Sequence, residues 1–265
     1  MANHFIVRWF AIRRNDFSTS KVTAKKTPTT TNKIVKSLDD IVIIKAMLSR
    51  FGLASIIAKH IVTERDRGRP SHGELVEVLV INRLSSPKPL YNVECWAHEH
   101  CVADLYGYPA EKFNDDRIRR TLDKLWEYEE TILDECALKI ATEFGVPFDE
   151  LLYALTSIYF EGNYASEEEL VRLGYSRDQK PDKKQVNLGL TVTRSGNIPI
   201  LGKVLSGNTG DPSTVKANIE SLRKLLSKKS YLRITDGIMI NPENIHIMEQ
   251  DQLGFWAHIK LTLIF

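Results

Sequence analysis

The stretch VNLGLTVTRSGNIPILGKV, residues 186–204, decides the fold of this 265-residue chain. Val186, Leu188, Leu190 and Val192 alternate with Asn187, Gly189, Thr191 and Thr193. A strand turns successive side chains to opposite faces, so this period of two predicts a strand. Residues 198–204 are again largely apolar and follow Gly196-Asn197, a pair that tolerates the positive φ of a tight turn. The two runs read as a hairpin. Upstream, LLYALTSIYF (151–160) is rich in β-formers and supplies another strand. Downstream, Asp211-Pro212 opens a helix with a cap and a proline in its first turn. Val215, Ile219, Leu222 and Leu226 give that helix an apolar face. YLRIT (231–235) is a short strand ending at Asp236, Asn241-Pro242 starts another capped helix, and residues 255–263 form a last strand. Three antiparallel strands followed by alternating helices and strands fit a mixed sheet flanked by helices.

The chain before residue 148 reads as helical. Leu38, Ile41, Ile44, Met47, Leu48 and Phe51 recur at helical spacing within 38–62. Ser71-His72-Gly73-Glu74 is a capping box, and the almost wholly apolar run at 75–84 predicts a buried helix. Asn114-Asp115-Asp116 caps a further run through Ile118, Leu122, Leu125, Ile132, Cys136 and Ile140, closed by Gly145 and Pro147. Residues 1–33 are Ser/Thr/Lys-rich toward their end and read as a basic arm and linker. The expected class is therefore α+β: an arm (1–33), a helical domain (34–147) and a mixed α/β sheet (148–265).

Hydrophobic residues make up 43% and charged residues 26%, which suits a globular chain of one large or two small domains. The net charge of +2 is too mild to demand a nucleic-acid partner. Its distribution says more: Arg8, Arg13, Arg14, Lys21, Lys25, Lys26, Lys33 and Lys36 face one acid, Asp16, within residues 1–37. Such an arm can neutralise phosphates; it also suits a solvated tail. Three cysteines make no disulfide framework, and the reducing cytoplasm is the expected compartment. No apolar run approaches the roughly 18 residues of a membrane span. The N-terminus lacks a secretory signal's long apolar core, while its Arg-rich, acid-poor character leaves a transit peptide open.

Asp236 is the first candidate site residue, because ligand sites of open α/β sheets gather at strand ends and a carboxylate there can hold magnesium or manganese. An aspartate before glycine is also an ordinary turn. Arg177, Lys180, Lys183 and Lys184 lie in the charged connection 174–185 and can meet phosphate; the same composition suits a solvated loop. Cys95, His98, His100 and Cys101 are zinc-ligand types without a zinc spacing. Cys95 and Trp96 are expected to pack inward, with the two histidines facing solvent.

Together these segments resemble the DDE transposases of bacterial and archaeal insertion sequences. The matching stretches are LSSPKPLY (84–91), FNDDRI (113–118), LYALTSIYFEG (152–162), residues 174–185, GNTGD (207–211), and Thr235-Asp236 with Met239 and Glu243-Asn244. The resemblance implies an RNase H-like core interrupted by a β-rich insertion. Three carboxylates of that core hold two divalent ions, magnesium or manganese, for in-line attack at phosphorus. It aligns the family's second catalytic aspartate with Asp236 and the first with Ala154, which has no carboxylate. The third ligand, a glutamate beyond the insertion, lies past Phe265. The expectation is a truncated, inactive transposase whose partner is DNA at transposon ends. It would form homo-oligomers or mixed oligomers with a full-length enzyme in the nucleoid-associated cytoplasm. The alternatives are a DNA-binding or dimerising regulator of full-length transposase, and an enzyme restored by a complementing chain.

Overall fold

The computed structural model describes residues 36, 38, 40–62, 68–161, 170–175, 179–226, 232–236, 241–250 and 254–258; for 232–236 and 254–258 it describes the backbone. These form two compact units divided between Glu129 and Glu130. The division falls earlier than the sequence boundary at 147. The arm at 1–33 and the end of the last expected strand lie outside the described residues.

The first unit is helical: α1 (Ile41–Phe51), α2 (Leu53–His60), α3 (His72–Leu84), α4 (Val93–Glu99), α5 (Val102–Tyr106) and α6 (Asp115–Glu127). α3 forms its centre. Ser71 Oγ accepts from the Glu74 N–H at 3.2 Å, and the Glu74 carboxylate accepts from the Ser71 N–H at 2.7 Å, completing the capping box. Leu75, Val78, Leu79 and Ile81 are buried against Ile41, Trp96, Phe113, Ile118 and Leu122. Burial ends at Leu84, which is exposed. The apolar run at 38–62 is two helices, because Gly52 adopts φ +77° and returns its N–H to the Leu48 carbonyl. The run beginning at Asn114 likewise breaks at Tyr128, with φ −121° and ψ 15°. In both cases the apolar spacing continues across the break.

Glu77 is buried within α3, and its charge is compensated. Lys45 Nζ lies 2.8 Å from its carboxylate, Tyr106 donates to it at 3.0 Å, and Lys45 stands over the Tyr106 ring. A buried carboxylate needs such partners to offset lost hydration.

The second unit contains α7 (Glu129–Phe144), β1 (Glu150–Tyr159), β2 (Gln185–Thr193), β3 (Pro199–Ser206), α8 (Val215–Leu226), β4 (Leu232–Asp236), α9 (Pro242–Gln250) and β5 (Gly254–His258). The sheet order is β3-β2-β1-β4-β5. β1, β2 and β3 pair antiparallel, whereas β4 is parallel to β1 and β5 to β4. The fold is thus α+β, with the mixed sheet that the sequence order implied. The hairpin turns through Gly196 at φ +81° and Asn197 at φ +52°. Leu151 packs with Ala137 of α7 and Leu222, Leu225 and Leu226 of α8. Tyr153 and Leu155 pack with Val215, Ile219 and Met248. Ala137 thus ties α7 to the buried cluster on the sheet, consistent with a unit that begins before residue 147.

Candidate functional site

Parallel pairing of β1 with β4 sets Tyr153 opposite Thr235. Each strand then advances one residue, so Ala154 and Asp236 fall in the same row. Antiparallel pairing continues the row to Leu190 on β2 and Gly202 on β3. On the other side His258 of β5 is the register partner of Asp236. Asp236 ends its strand. Sequence reasoning had not singled out His258, because it lies inside a short apolar stretch and only parallel pairing brings it to this row.

The two faces of β1 differ. Leu151, Tyr153, Leu155 and Ser157 are buried, whereas Ala154 and Thr156 on the other face are exposed. Solvent can therefore reach the Ala154 position, but its methyl group offers no oxygen to a hard cation. Among the described residues, no three His, Cys, Asp or Glu side chains come together to hold a metal.

Beyond the far end of β1, several of the quoted motifs meet as a polar clamp. Arg172 bridges to Gln185, with N–H to carbonyl bonds of 3.1 and 2.8 Å. The buried Gln185 side chain donates to the Gly207 carbonyl at 2.9 Å and the Tyr175 carbonyl at 3.0 Å. Asn187 donates to the Thr209 carbonyl at 3.0 Å, and Asn244 of α9 donates to the Pro212 carbonyl at 2.9 Å. The backbones approach closely: a Cβ on Gly207 would lie 2.0 Å from the Gln185 carbonyl oxygen, and one on Gly174 would lie 1.9 Å from that of Gly207. In this structure the GNTGD segment is held by side-chain amides on β2, and the adjoining Pro212 by the amide of Asn244 on α9.

The basic connection lies away from the Ala154 row. Lys184 precedes Leu190, the partner of Ala154, by six positions, or roughly 20 Å along a strand. Lys183 pairs with Glu161 at 3.1 Å and approaches Asp182 at 3.9 Å. Its hydrogen bond to Glu161 holds the ammonium above its ordinary pKa. Lys180 is exposed and Lys184 is half-buried. Arg177 lies outside the described residues. The structure thus brings Ala154 and Asp236 together and sets Lys180, Lys183 and Lys184 apart from them.

Of the cysteine–histidine stretch, Cys95 and His98 lie on α4, and His100 and Cys101 form the turn to α5. Trp96 is buried as expected, but Cys95 is exposed, because α4 turns it away from Val93 and Trp96. Its thiol donates to Glu99 at 3.5 Å, and that bond together with nearby acids pushes its pKa up, away from the metal-binding thiolate. His98 is exposed. His100 is half-buried, stacks on the Trp96 ring and has Nδ1 at 3.1 Å from the Trp96 carbonyl. Among the described residues, no single helix is long and apolar enough to cross a membrane.

The model of a domain of unknown function, DUF4277, matches residues 33–138. No curated protein matches the chain. Among solved structures, a pre-cleavage Mos1 transpososome is similar at 11% identity and a TM-score of 0.30, covering 75% of this chain and 63% of its own. A piggyBac transposase synaptic complex with hairpin DNA shows 13% identity and a TM-score of 0.42, covering 88% of this chain and 52% of its own. A Mos1 mariner paired-end complex with Mn shows 11% identity and a TM-score of 0.31, covering 80% and 67%. The chain thus spans 63% and 52% of the first two structures, and likenesses this distant assign no role to any of its residues.

Proposed function

We propose that this chain is a DDE transposase-like DNA transposition protein that does not itself cleave or join DNA. The observation that carries this reading is the row shared by Ala154 and Asp236. The motif resemblance pairs them as the first and second catalytic positions, and the register that puts residues 154 and 236 on neighbouring strands supports that reading. In intact relatives the carboxylates would hold magnesium or manganese ions, which activate the attacking oxygen and stabilise displacement at phosphorus. Here Asp236 can offer one carboxylate and Ala154 none, so no catalytic step is assigned to the pair.

What remains within reach of such a protein is DNA binding at transposon ends. Lys180 and Lys184, with Arg177, are the groups proposed to meet phosphate. Lys183, which pairs with Glu161, is proposed alongside them. The three cysteines are free, which suits a reducing cytoplasm, and nucleoid association would follow from DNA binding. A protein of this kind could act as a regulator, occupying ends or entering mixed oligomers with a full-length enzyme.

Titration of the whole chain onto a labelled duplex carrying the terminal repeats that flank its coding sequence tests this. A scrambled duplex serves as control, and salt is varied. The expected result is tighter binding to the repeats, weakening steeply as salt rises. Equal, weak binding to both duplexes would reduce the chain to a remnant without a DNA role.

A further inference from the structure

The segment 170–175 is fixed to the sheet along its length, yet its largest side chains stand in water. The Leu170 carbonyl accepts from the Gly207 N–H at 2.9 Å, Arg172 exchanges two backbone bonds with Gln185, and the Tyr175 carbonyl accepts from the buried Gln185 amide at 3.0 Å. Val171 is buried, and Gly174 stands against the Gly207 carbonyl, where a Cβ would lie 1.9 Å from the oxygen. Arg172 is exposed, Leu173 is 56% exposed and Tyr175 is 87% exposed. Among the described residues, no acid pairs with the Arg172 guanidinium. Singly exposed apolar side chains are ordinary. Here an aromatic ring and an uncompensated cation share one anchored segment. Its backbone is already ordered by folding, so a ligand that uses both side chains does not have to order it.

We propose that Arg172 and Tyr175 form a binding surface for single-stranded DNA, with an unpaired base stacked on the Tyr175 ring and a neighbouring phosphate held by Arg172. The inference rests on the reading of the chain as a DNA-binding protein and adds to it a strand state and two residues. Charge selects the class of ligand. From Leu170 to Gln185 the sequence carries Arg172, Arg177, Lys180, Lys183 and Lys184 against Asp178 and Asp182. Such an excess of cations favours a polyanion. The ring selects the strand state. In a duplex each base face is covered by the next pair, whereas a single strand leaves its faces open to an aromatic side chain. A ring beside cations that follow the backbone is the arrangement by which single strands are bound without regard to sequence. Arg172 and Tyr175 are three residues apart, a span of at most about 10 Å, so a base and a nearby phosphate can be engaged together.

Fluorescence anisotropy of the full chain with labelled oligo(dT) of about 20 nucleotides, beside a blunt duplex of equal length and scrambled sequence, tests the proposal. Oligo(dT) carries no terminal repeat, so its binding is scored apart from the repeat preference expected above. The wild type should bind oligo(dT) more tightly than the scrambled duplex. Tyr175→Ala should weaken oligo(dT) binding roughly tenfold and leave duplex binding unchanged. Tyr175→Phe should bind as the wild type does, since stacking needs the ring and not the hydroxyl. Arg172→Gln should lower the salt slope for oligo(dT) by roughly 0.7. Both side chains are exposed, so urea midpoints should not move. Oligo(dT) binding no tighter than duplex binding, or undiminished in Tyr175→Ala, overturns the proposal even where the repeat preference stands. Equal losses on both DNAs, or a Tyr175→Phe loss as large as that of Tyr175→Ala, overturns base stacking. An unchanged salt slope in Arg172→Gln overturns the phosphate contact. Loss of the repeat preference with the Tyr175 pattern intact would sink the transposon-end reading alone.

Discussion

Ala154 and Asp236 stand in one row of two neighbouring parallel strands, each a single residue beyond the paired Tyr153 and Thr235. Ala154 is exposed, so a carboxylate introduced there needs no buried space. Ala154→Asp should therefore fold normally and raise manganese affinity roughly tenfold, because two facing carboxylates hold a hard cation better than one. Isothermal titration with manganese reads this directly. Equal weak binding by both chains would separate the two positions and undo the alignment.

The clamp around Gly207 should tolerate no side chain. Gly207→Ala forces a methyl group into the Gln185 carbonyl; the Gln185 backbone is fixed in β2, and Gly207 is held by the Gln185 amide and by its own bond to the Leu170 carbonyl. The expected cost is about 2–4 kcal/mol, read as a lowered urea midpoint. Gly52→Ala is the contrasting case: its Cβ meets nothing within 4 Å, but φ is +77°. It should cost only about 1 kcal/mol, from backbone strain alone.

Leu79→Asp should unfold much of the helical unit. Leu79 is 2% exposed at the centre of that core, and a carboxylate there would find an apolar surround. A loss of about 3–5 kcal/mol is expected by thermal or urea unfolding. An unchanged midpoint would contradict the burial of α3.

His72 should make the helical unit sensitive to acid. Burial, then the nearby Lys124 and Arg117 charges, hold its pKa below the ordinary 6.5, and Nδ1 lies 2.9 Å from Thr121 Oγ1. The unfolded chain therefore takes up this proton more readily than the folded one. The contribution is present above pH 6.5 and is lost as pH falls through the folded value. Urea midpoints compared at about pH 7.5 and about pH 5 should fall less in His72→Gln than in the wild type. Equal falls would show that other groups set the acid limb.

Much of this was legible because the signals were local. The hairpin at 186–204 announced itself through alternation and Gly196-Asn197, and the capping box at Ser71 marked the start of α3. Both breaks were missed, at Gly52 and Tyr128, because the apolar spacing runs on across them. Glu77 is visible as an acid in an apolar run, but Lys45 and Tyr106 reach it from other helices. The proximity of residues 154 and 236 depends on parallel pairing between distant segments; periodicity is blind to it, and the motif resemblance alone suggested it. The clamp was hidden for the same reason, since Gly174 and Gly207 resemble ordinary turn glycines until their backbones meet.

The proposed reading, a transposase-like chain that does not itself cleave or join DNA, puts its weight on Ala154 and Asp236. It is tested by incubating the wild-type chain and Asp236→Ala with labelled terminal-repeat duplex and magnesium or manganese, and resolving the strands on a denaturing gel. The account predicts intact duplex in every lane, because two ions cannot be held in place by one carboxylate. Metal-dependent nicking or strand joining by the wild type, abolished in Asp236→Ala, would contradict it.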